Sequence, residues 1–145
     1  MKTDFRCKCP ITSALDILGD KWSLVVIKQM LFEGKSTFKD FTESPESIAT
    51  NILSTRLKML EEFDLIEKVK LPTNKKTNIY LLTSRGLSLT PVLLELTLWS
   101  KYNVLEFNPD LNLDKDLEKA EKDKETAYQL ITENYNQYKQ SILNH

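Results

Sequence analysis

The stretch SIATNILSTRLKMLEEFDLIEKVKLPTNKKTNIYLL, residues 47–82, changes its hydrophobic period part-way along, and this change decides the fold. In its first half, apolar residues recur at spacings of three and four: Ala49, Leu53, Leu57 and Leu60. That spacing predicts a helix over residues 47–63 with these side chains in the core and Ser47 as its N-cap. After residue 63 the apolar residues alternate, and 78–82 is a second strand-like run, which predicts a β-hairpin after the helix.

The opposite side of the predicted helix is polar. Its side chains are short or cationic: Thr50, Asn51, Ser54, Thr55 and Lys58. Such groups can meet base edges and phosphates, and a helix of about 16 residues, roughly 24 Å long, can lie in a major groove about 12 Å wide. The turn PTNKKT at 72–77 adds Lys75 and Lys76, and residues 47–85 hold seven basic and four acidic residues, a net charge of +3. The pattern favours DNA binding, although an ordinary amphipathic helix beside a solvated turn would fit the same residues.

Three further helices are predicted before this stretch. The segment KWSLVVIKQMLF at 21–32 is apolar on nearly every side, as expected for a central helix. An earlier helix should begin at Pro10 and end at Gly19. Ser36 can cap a short helix with two phenylalanines, and the turn at 44–47 leads into the polar-faced helix. The order is helix, helix, helix, recognition helix, strand, wing, strand.

Several motifs occur in this same order. They are CP at 9–10, LDILGDKW at 15–22, the phenylalanine-bearing helix at 36–42, ILSTRLKMLEEFDLIEK at 52–68, YLLTSRG at 80–86 and PVLLELTLW at 91–99. Together they resemble the HxlR-type winged helix-turn-helix transcriptional regulators, from Cys9 to about Tyr102. The resemblance implies a mainly α fold with a small β-hairpin (α+β), additional C-terminal helices, and a dimeric bacterial DNA-binding repressor or activator. It also implies a dimer formed by the first helix and the helices after the wing.

By position, the resemblance assigns groove reading to the polar face of the helix that follows Ser47. Those residues are Thr50, Asn51, Ser54, Thr55 and Lys58, with Arg56 and the wing on phosphates. The wing departs from the usual family form, because NKKTNIY at 74–80 lacks a proline-arginine step before the tyrosine strand. Lys75 and Lys76 are the local substitutes, but a lysine meets phosphate as a point charge without the planar fork of arginine.

Composition predicts one core with a helical extension. A chain of 145 residues that is 28% charged and 41% hydrophobic suits a single soluble domain. We predict a winged helix-turn-helix domain with dimerisation helices over 1–107 and an extension over 108–145. The charge is segregated in the same way, with eight acidic and five basic residues over 110–145, a net of -3. That leaves +2 for the region expected to meet phosphate, and local charge governs DNA affinity.

The segment after Pro91, VLLELTLW, is apolar on more than one face. Thr83 or Ser84 should cap the helix before it, and Pro91 should restart that helix because it has no amide hydrogen. The surplus apolar face predicts a subunit interface that includes Trp99, and burial beneath the extension is the alternative. The extension itself has a thin apolar stripe and predicts a surface helix, whose second half could brace the dimer.

Two cysteines, Cys7 and Cys9, are the main candidates for chemistry. Cys9 lies just before a predicted helix start, and Arg6 and Lys8 are close in sequence, so both features should favour the thiolate. The resemblance adds that some family members sense oxidants, quinones or aldehydes through a cysteine at the position of Cys9. Cys7 is a candidate resolving thiol beside it. A Cys7–Cys9 disulfide would close a strained ring, which favours an intersubunit bond or a small-molecule adduct. The alternative is a cysteine that acts only as a small apolar residue.

No catalytic constellation is present in the sequence. His145 is the only histidine, Glu61 and Glu62 project in different directions, and three glycines form no phosphate loop. We therefore predict no enzyme activity, no cofactor and no metal site. Apolar runs are short and MKTDFRCKCP lacks the apolar centre of a signal peptide, which predicts a cytoplasmic protein with no membrane partner.

We conclude that the sequence predicts a homodimeric regulator, with repression favoured, that binds double-stranded DNA at a pseudo-palindromic operator. An oxidant, an electrophile or another small-molecule effector would switch it, with thiol modification at Cys9 as the first hypothesis. Two alternatives stay open: a ligand-responsive regulator without cysteine sensing, and a winged helix whose polar face binds another protein.

Overall fold

The computed structural model describes residues 4–144, so His145 lies outside the described residues. Within them the chain forms eight helices and one antiparallel two-stranded sheet. The elements are α1 (Pro10–Leu18), α2 (Ser23–Glu33), α3 (Phe38–Thr42), α4 (Thr50–Glu62), β1 (Ile66–Leu71), β2 (Asn74–Leu82), α5 (Ser84–Leu87), α6 (Thr90–Asn103), α7 (Leu117–Lys122) and α8 (Lys124–Leu143). The predicted order and the mainly α fold with a small β-hairpin are confirmed. None of the described helices is long and apolar enough to span a membrane.

Helix α2 lies at the centre of the main core, as its apolar sequence predicts. Val26, Ile27 and Met30 are fully buried in it. Helix α4 packs on this core through three buried leucines at the predicted spacing: Leu53, Leu57 and Leu60. The fourth predicted core position is wrong, because Ala49 is exposed and the neighbouring Ile48 is buried instead.

The N-cap residues of α3 and α4 differ from the prediction by one and two residues. Ser47 has a φ of 57° and its hydroxyl donates to the Pro45 carbonyl, so it belongs to the turn, and Ala49 is the N-cap residue. At α3 the cap is Thr37 rather than Ser36. The Thr37 hydroxyl accepts from the Asp40 amide at 3.1 Å while the Asp40 carboxylate accepts from the Thr37 amide at 3.1 Å, which is a capping box.

The hairpin and the two helices after it have the predicted turn, cap and proline positions. Strands β1 and β2 pair from Ile66 with Leu82 outward to a two-residue connection at 72–73. The Thr83 hydroxyl caps α5 by accepting from the Gly86 amide at 3.1 Å. Gly86 is required by a close approach, because a Cβ there would lie 2.2 Å from the Leu65 carbonyl oxygen. Helix α6 restarts with Pro91 in its first turn, as expected for a residue without an amide hydrogen.

The extension packs on its own chain through both of its helices. Leu117 of α7 joins Leu94 and Leu98 of α6 in a second apolar cluster. Tyr135 of α8 is 3% exposed and belongs to the main core. The extension therefore contributes a core residue, which its thin apolar stripe did not indicate.

Candidate DNA-binding surface and thiol site

The polar face of α4 points away from the core. All five residues predicted to read a groove are exposed: Thr50, Asn51, Ser54, Thr55 and Lys58. The Thr55 hydroxyl donates to the Asn51 carbonyl oxygen at 3.0 Å, which leaves its oxygen free to accept. Ile52 is also 36% exposed on this helix, and the sequence analysis did not single it out. An exposed aliphatic side chain beside polar ones can meet a thymine methyl group.

A hydrogen-bonded turn anchors the start of α4 to α2. Glu46 accepts from Lys28 Nζ at 2.5 Å and from Gln29 Nε2 at 2.9 Å. Gln29 is buried and also donates to the Ser44 hydroxyl at 2.9 Å. The hydrogen bond from Lys28 is the main reason that the pKa of Glu46 is lowered, with Gln29 adding to it against partial burial. The exposed Ser47 follows in this turn and does not cap the helix.

Arg56 has an intramolecular partner that the sequence reasoning did not foresee. Its Nη1 lies 3.5 Å from Asp20 Oδ2, and its side chain is 30% exposed. Asp20 also accepts from the amides of Trp22 and Ser23, both at 2.8 Å, at the start of α2. Burial raises the pKa of Asp20, but hydrogen bonds from Ser23 and Trp22, with the charge of Arg56, lower it overall. Arg56 therefore ties α4 to the start of α2.

The wing carries four exposed lysines, and two of them were missed as candidates. Lys75 and Lys76 lie in β2 and not in the turn where they were predicted, because β2 begins at Asn74. The additional pair is Lys68 and Lys70, which alternate with half-buried residues along β1. That alternation was visible in the sequence and was the signal for them. Within residues 4–144 neither these lysines nor Lys58 make an ion pair.

Asn74 orders the tip of the wing. Its side-chain oxygen accepts from the Lys76 amide at 3.2 Å, and its side-chain nitrogen donates to the Thr77 hydroxyl at 3.1 Å. These local bonds hold the backbone that carries Lys75 and Lys76. The four lysines of the wing therefore form a patch of positive charge on β1 and β2.

Cys7 and Cys9 are exposed free thiols. Cys9 is the N-cap residue of α1, and no full capping hydrogen bond forms at its sulfur. The approach of the Thr12 amide, followed by the Thr12 hydroxyl and the Ile11 amide, nevertheless lowers the pKa of Cys9. The predicted help from Arg6 is wrong, because its Nε lies 2.5 Å from Asp16 Oδ1 and so its charge is compensated there. Within residues 4–144 no group of acidic, cysteine or histidine side chains could hold a metal ion.

Two helices expose apolar faces. No residue of α1 is buried, and Ile11 is 73% exposed. On α6 the exposed large hydrophobic residues are Val92, Leu96, Trp99 and Tyr102. They line a groove of about 740 Å³ with polar residues at its rim. Trp99 is 61% exposed, so it is not covered by the extension.

Comparison with known proteins agrees with this architecture. The family model described as HxlR-like helix-turn-helix matches residues 17–107. The HTH-type transcriptional regulator YodB of Bacillus subtilis (strain 168) is 36% identical over 93 residues, which is 63% of this chain and 82% of YodB.

Solved structures have the same fold. The crystal structure of PA1607 aligns with a TM-score of 0.65 and 31% identity over 75% of this chain and 73% of that one. The reduced form of YodB aligns with a TM-score of 0.55 and 33% identity over 67% and 95% of the two chains. The redox regulator HypR in its reduced form aligns with a TM-score of 0.58 and 28% identity over 68% of this chain and 98% of that one. YodB has also been solved after diamide treatment and with quinone bound, and HypR in its oxidised form.

Proposed function

The chain belongs to the HxlR-like helix-turn-helix family and is a DNA-binding transcriptional regulator, and we propose that it binds its operator as a homodimer through α4 and the wing. The observation that carries the proposal is the polar face of α4, which is exposed beside lysines without acidic partners. In each subunit α4 enters a major groove, where the Asn51 amide can pair with an adenine edge. Lys58 and the wing lysines neutralise phosphates, and Arg56 holds α4 through Asp20.

The exposed apolar faces of α1 and α6 support the proposed homodimer. A monomer would leave Ile11, Leu96 and Trp99 in water, and contiguous exposed apolar surface marks interaction sites. A second copy of the chain buries these faces and places two α4 helices on one side of the dimer. Such dimers read half-sites about 34–36 Å apart on a pseudo-palindromic operator. In this proposal the dimer acts in the cytoplasm and represses by covering the operator.

The test is selection of duplexes from a random-sequence pool by the purified chain, followed by affinity measurement over a range of salt. We expect an inverted repeat with half-sites about one helical turn apart, and an affinity that falls steeply as salt rises. Failure to enrich any sequence, with weak binding that is equal for all duplexes, would contradict the proposal. That result would favour the alternative in which the polar face binds another protein.

A second candidate function, thiol sensing, is favoured by the position of Cys9. Its sulfur is exposed at the start of α1, where the neighbouring amides lower its pKa, and α1 carries one of the proposed dimer faces. The YodB structures with diamide and quinone and the HypR pair of redox forms support the same idea for relatives. In this proposal the Cys9 thiolate adds to a quinone ring carbon, and the adduct takes up a proton to become a hydroquinone thioether. A group of that size on α1 would alter the dimer and the spacing of the α4 helices.

The test compares Cys9→Ser with Cys7→Ser after treatment with benzoquinone. Loss of affinity for the selected duplex is expected in wild type and Cys7→Ser, and not in Cys9→Ser. An equal loss in all three proteins would remove the hypothesis and leave a ligand-responsive regulator without cysteine sensing. Mass spectrometry of the intact chain reports whether an adduct or an intersubunit bond forms.

A further inference from the structure

The outer edge of β2 is closed by the C-terminal extension. One edge of β2 pairs with β1, and on the other edge the Tyr80 amide donates to the Ser36 carbonyl at 2.7 Å. Further along that edge the Leu82 amide donates to the Tyr135 hydroxyl at 2.8 Å, and the Leu82 carbonyl accepts from Lys139 Nζ at 3.0 Å. Unpaired strand edges are usually left to solvent or covered. Here a helix more than fifty residues later in the chain satisfies the Leu82 amide and carbonyl.

The contacts of α8 reach both strands of the wing, and the contact of Tyr135 with β2 is buried. Tyr135 is 3% exposed and Leu82 is fully buried. Desolvation is the main cause that raises the pKa of Tyr135 to about 12, so its hydroxyl remains protonated at neutral pH. Lys139 also lies 3.2 Å from Glu67 Oε1 on β1. One turn of α8 therefore contacts the base of the hairpin at a main-chain amide, a main-chain carbonyl and a carboxylate.

A neighbouring residue fixes α8 to the helix-turn-helix. The Tyr138 hydroxyl donates to the Gly34 carbonyl at 2.5 Å, and its ring lies 5.8 Å from the ring of Tyr135. Gly34 ends α2 with a φ of 65°, in the left-handed region that favours glycine. The same stretch of α8 thus contacts the wing and the end of the central helix.

The other end of the extension is attached to α6. Leu117 packs against Leu94 and Leu98 of α6, and Leu98 also lines the exposed groove. Two ion pairs add to this contact. They are Lys101 with Glu121 at 3.1 Å and Lys124 with Glu95 at 2.7 Å. The extension therefore connects the proposed dimerisation helix to the base of the wing.

We propose that residues 117–143, the strap, hold the wing in its DNA-binding position relative to α6, with Tyr135 and Lys139 as positioning residues. The proposal rests on the DNA-binding role given to the wing above. A two-stranded hairpin is marginally stable without packing, so its position depends on what covers its base. The family match ends at residue 107, so the strap is a device of this chain outside the matched segment.

The test is Tyr135→Phe, which keeps the ring in the core and removes only the partner of the Leu82 amide. We expect hydrogen exchange at the Leu82 amide to rise about tenfold, because a buried amide is left unpaired. Affinity for the duplex selected by wild type should fall about tenfold, because the wing spends less time in its binding position. The slope of affinity against salt should not change, because the bound complex still makes the same phosphate contacts. Both are measured where circular dichroism shows the variant fully folded. Exchange at the buried amides of Val26 and Met30 reports any loss of global stability, so a local effect is a rise at Leu82 that exceeds the rise at these two.

Tyr128→Phe is the matched control, because Tyr128 lies on the same helix but packs against the α6 cluster away from the wing. Lys139→Met is a second variant that removes the contacts with Leu82 and Glu67, and we expect a smaller change in the same direction. Unchanged exchange and affinity in Tyr135→Phe, while wild type binds DNA, would overturn the strap. If wild type selected no duplex, the proposed function would fail, and hydrogen exchange would still decide whether the strap holds the wing.

Discussion

Helices α4 and α6 bury similar residues and expose opposite chemistry. Each packs three leucines inward, Leu53, Leu57 and Leu60 on α4 and Leu93, Leu94 and Leu98 on α6. Outward, α4 presents hydroxyls, an amide and a lysine, whereas α6 presents aliphatic and aromatic side chains. Inward faces determine where a helix packs. Outward faces determine what it meets, which we propose is DNA for α4 and a second subunit for α6.

The two helices also differ in the part of the chain to which they are tied. Besides its leucines, α4 is tied to α2 by Glu46 with Lys28 and by Arg56 with Asp20. Besides its leucines, α6 is tied to the strap, by Leu117 and by the ion pairs Lys101–Glu121 and Lys124–Glu95. Changes at Arg56 or Asp20 should therefore act on α4, and changes in the exposed apolar face or in the strap should act on α6.

The largest effect is expected for Trp99→Glu. The side chain is exposed, so the subunit should fold, but a carboxylate on the apolar face would oppose dimerisation. Losing the second half-site contact should lower affinity for the selected duplex at least about 100-fold. Sedimentation should show a monomer, while Gln129→Glu, which adds the same charge at an exposed site on α8, should remain dimeric. A dimeric Trp99→Glu protein with full affinity would refute the role given to α6.

Asn51→Ala should have the next largest effect. Removing an amide that pairs with an adenine edge costs about 1–3 kcal/mol and relaxes selectivity at one base pair of each half-site. Binding to duplexes with single base-pair changes measures both quantities. Glu62→Gln, at the exposed end of the same helix, is the control and should retain selectivity. If Asn51→Ala discriminated bases as well as wild type, groove reading would have to be assigned to other residues of α4.

Smaller losses of affinity are expected for changes at Lys58 and Arg56, and the salt dependence should distinguish their roles. Lys58→Ala should weaken binding to all duplexes and reduce the slope of log affinity against log salt by about 1, as for a lost phosphate contact. Arg56→Ala should lower affinity without changing that slope, because its partner is Asp20. Asp20→Asn should then reproduce the Arg56→Ala result. If Arg56→Ala reduced the slope and Asp20→Asn left the affinity unchanged, Arg56 would contact a phosphate, as predicted from the sequence.

The smallest effect concerns acid stability. Because the folded pKa of Glu46 is lowered, its contribution is present above about pH 4.3, the ordinary glutamate value, and is lost as pH falls through the folded pKa. Glu46→Gln should therefore reduce the loss of unfolding free energy on acidification. The reduction should be less than about 1 kcal/mol, because the Glu46–Lys28 pair is partly exposed. Urea unfolding at pH 7 and pH 3 measures this. An equal loss of stability in wild type and variant would contradict the assignment.

Local patterns predicted the positions of most elements but not their ends. The switch of period from three-to-four to two is set by side-chain direction alone, so α4 and the hairpin could be predicted. The cap of α4 could not, because Ser47 is taken into a left-handed turn that Glu46 anchors to α2. Asp20 and Arg56 are far apart in sequence, and nothing in either segment indicates that they meet.

The sequence by itself determined the kind of protein. Its periodicity, its segregated charge and the order of its motifs can be read along the chain without knowing any long-range contact. They led to a winged helix-turn-helix regulator with exposed polar residues on α4. Tertiary structure decided which cations stay free and which strand edge is covered. These depend on contacts between distant segments, such as Tyr135 with Leu82 and Arg56 with Asp20, whose geometry arises only when the chain packs.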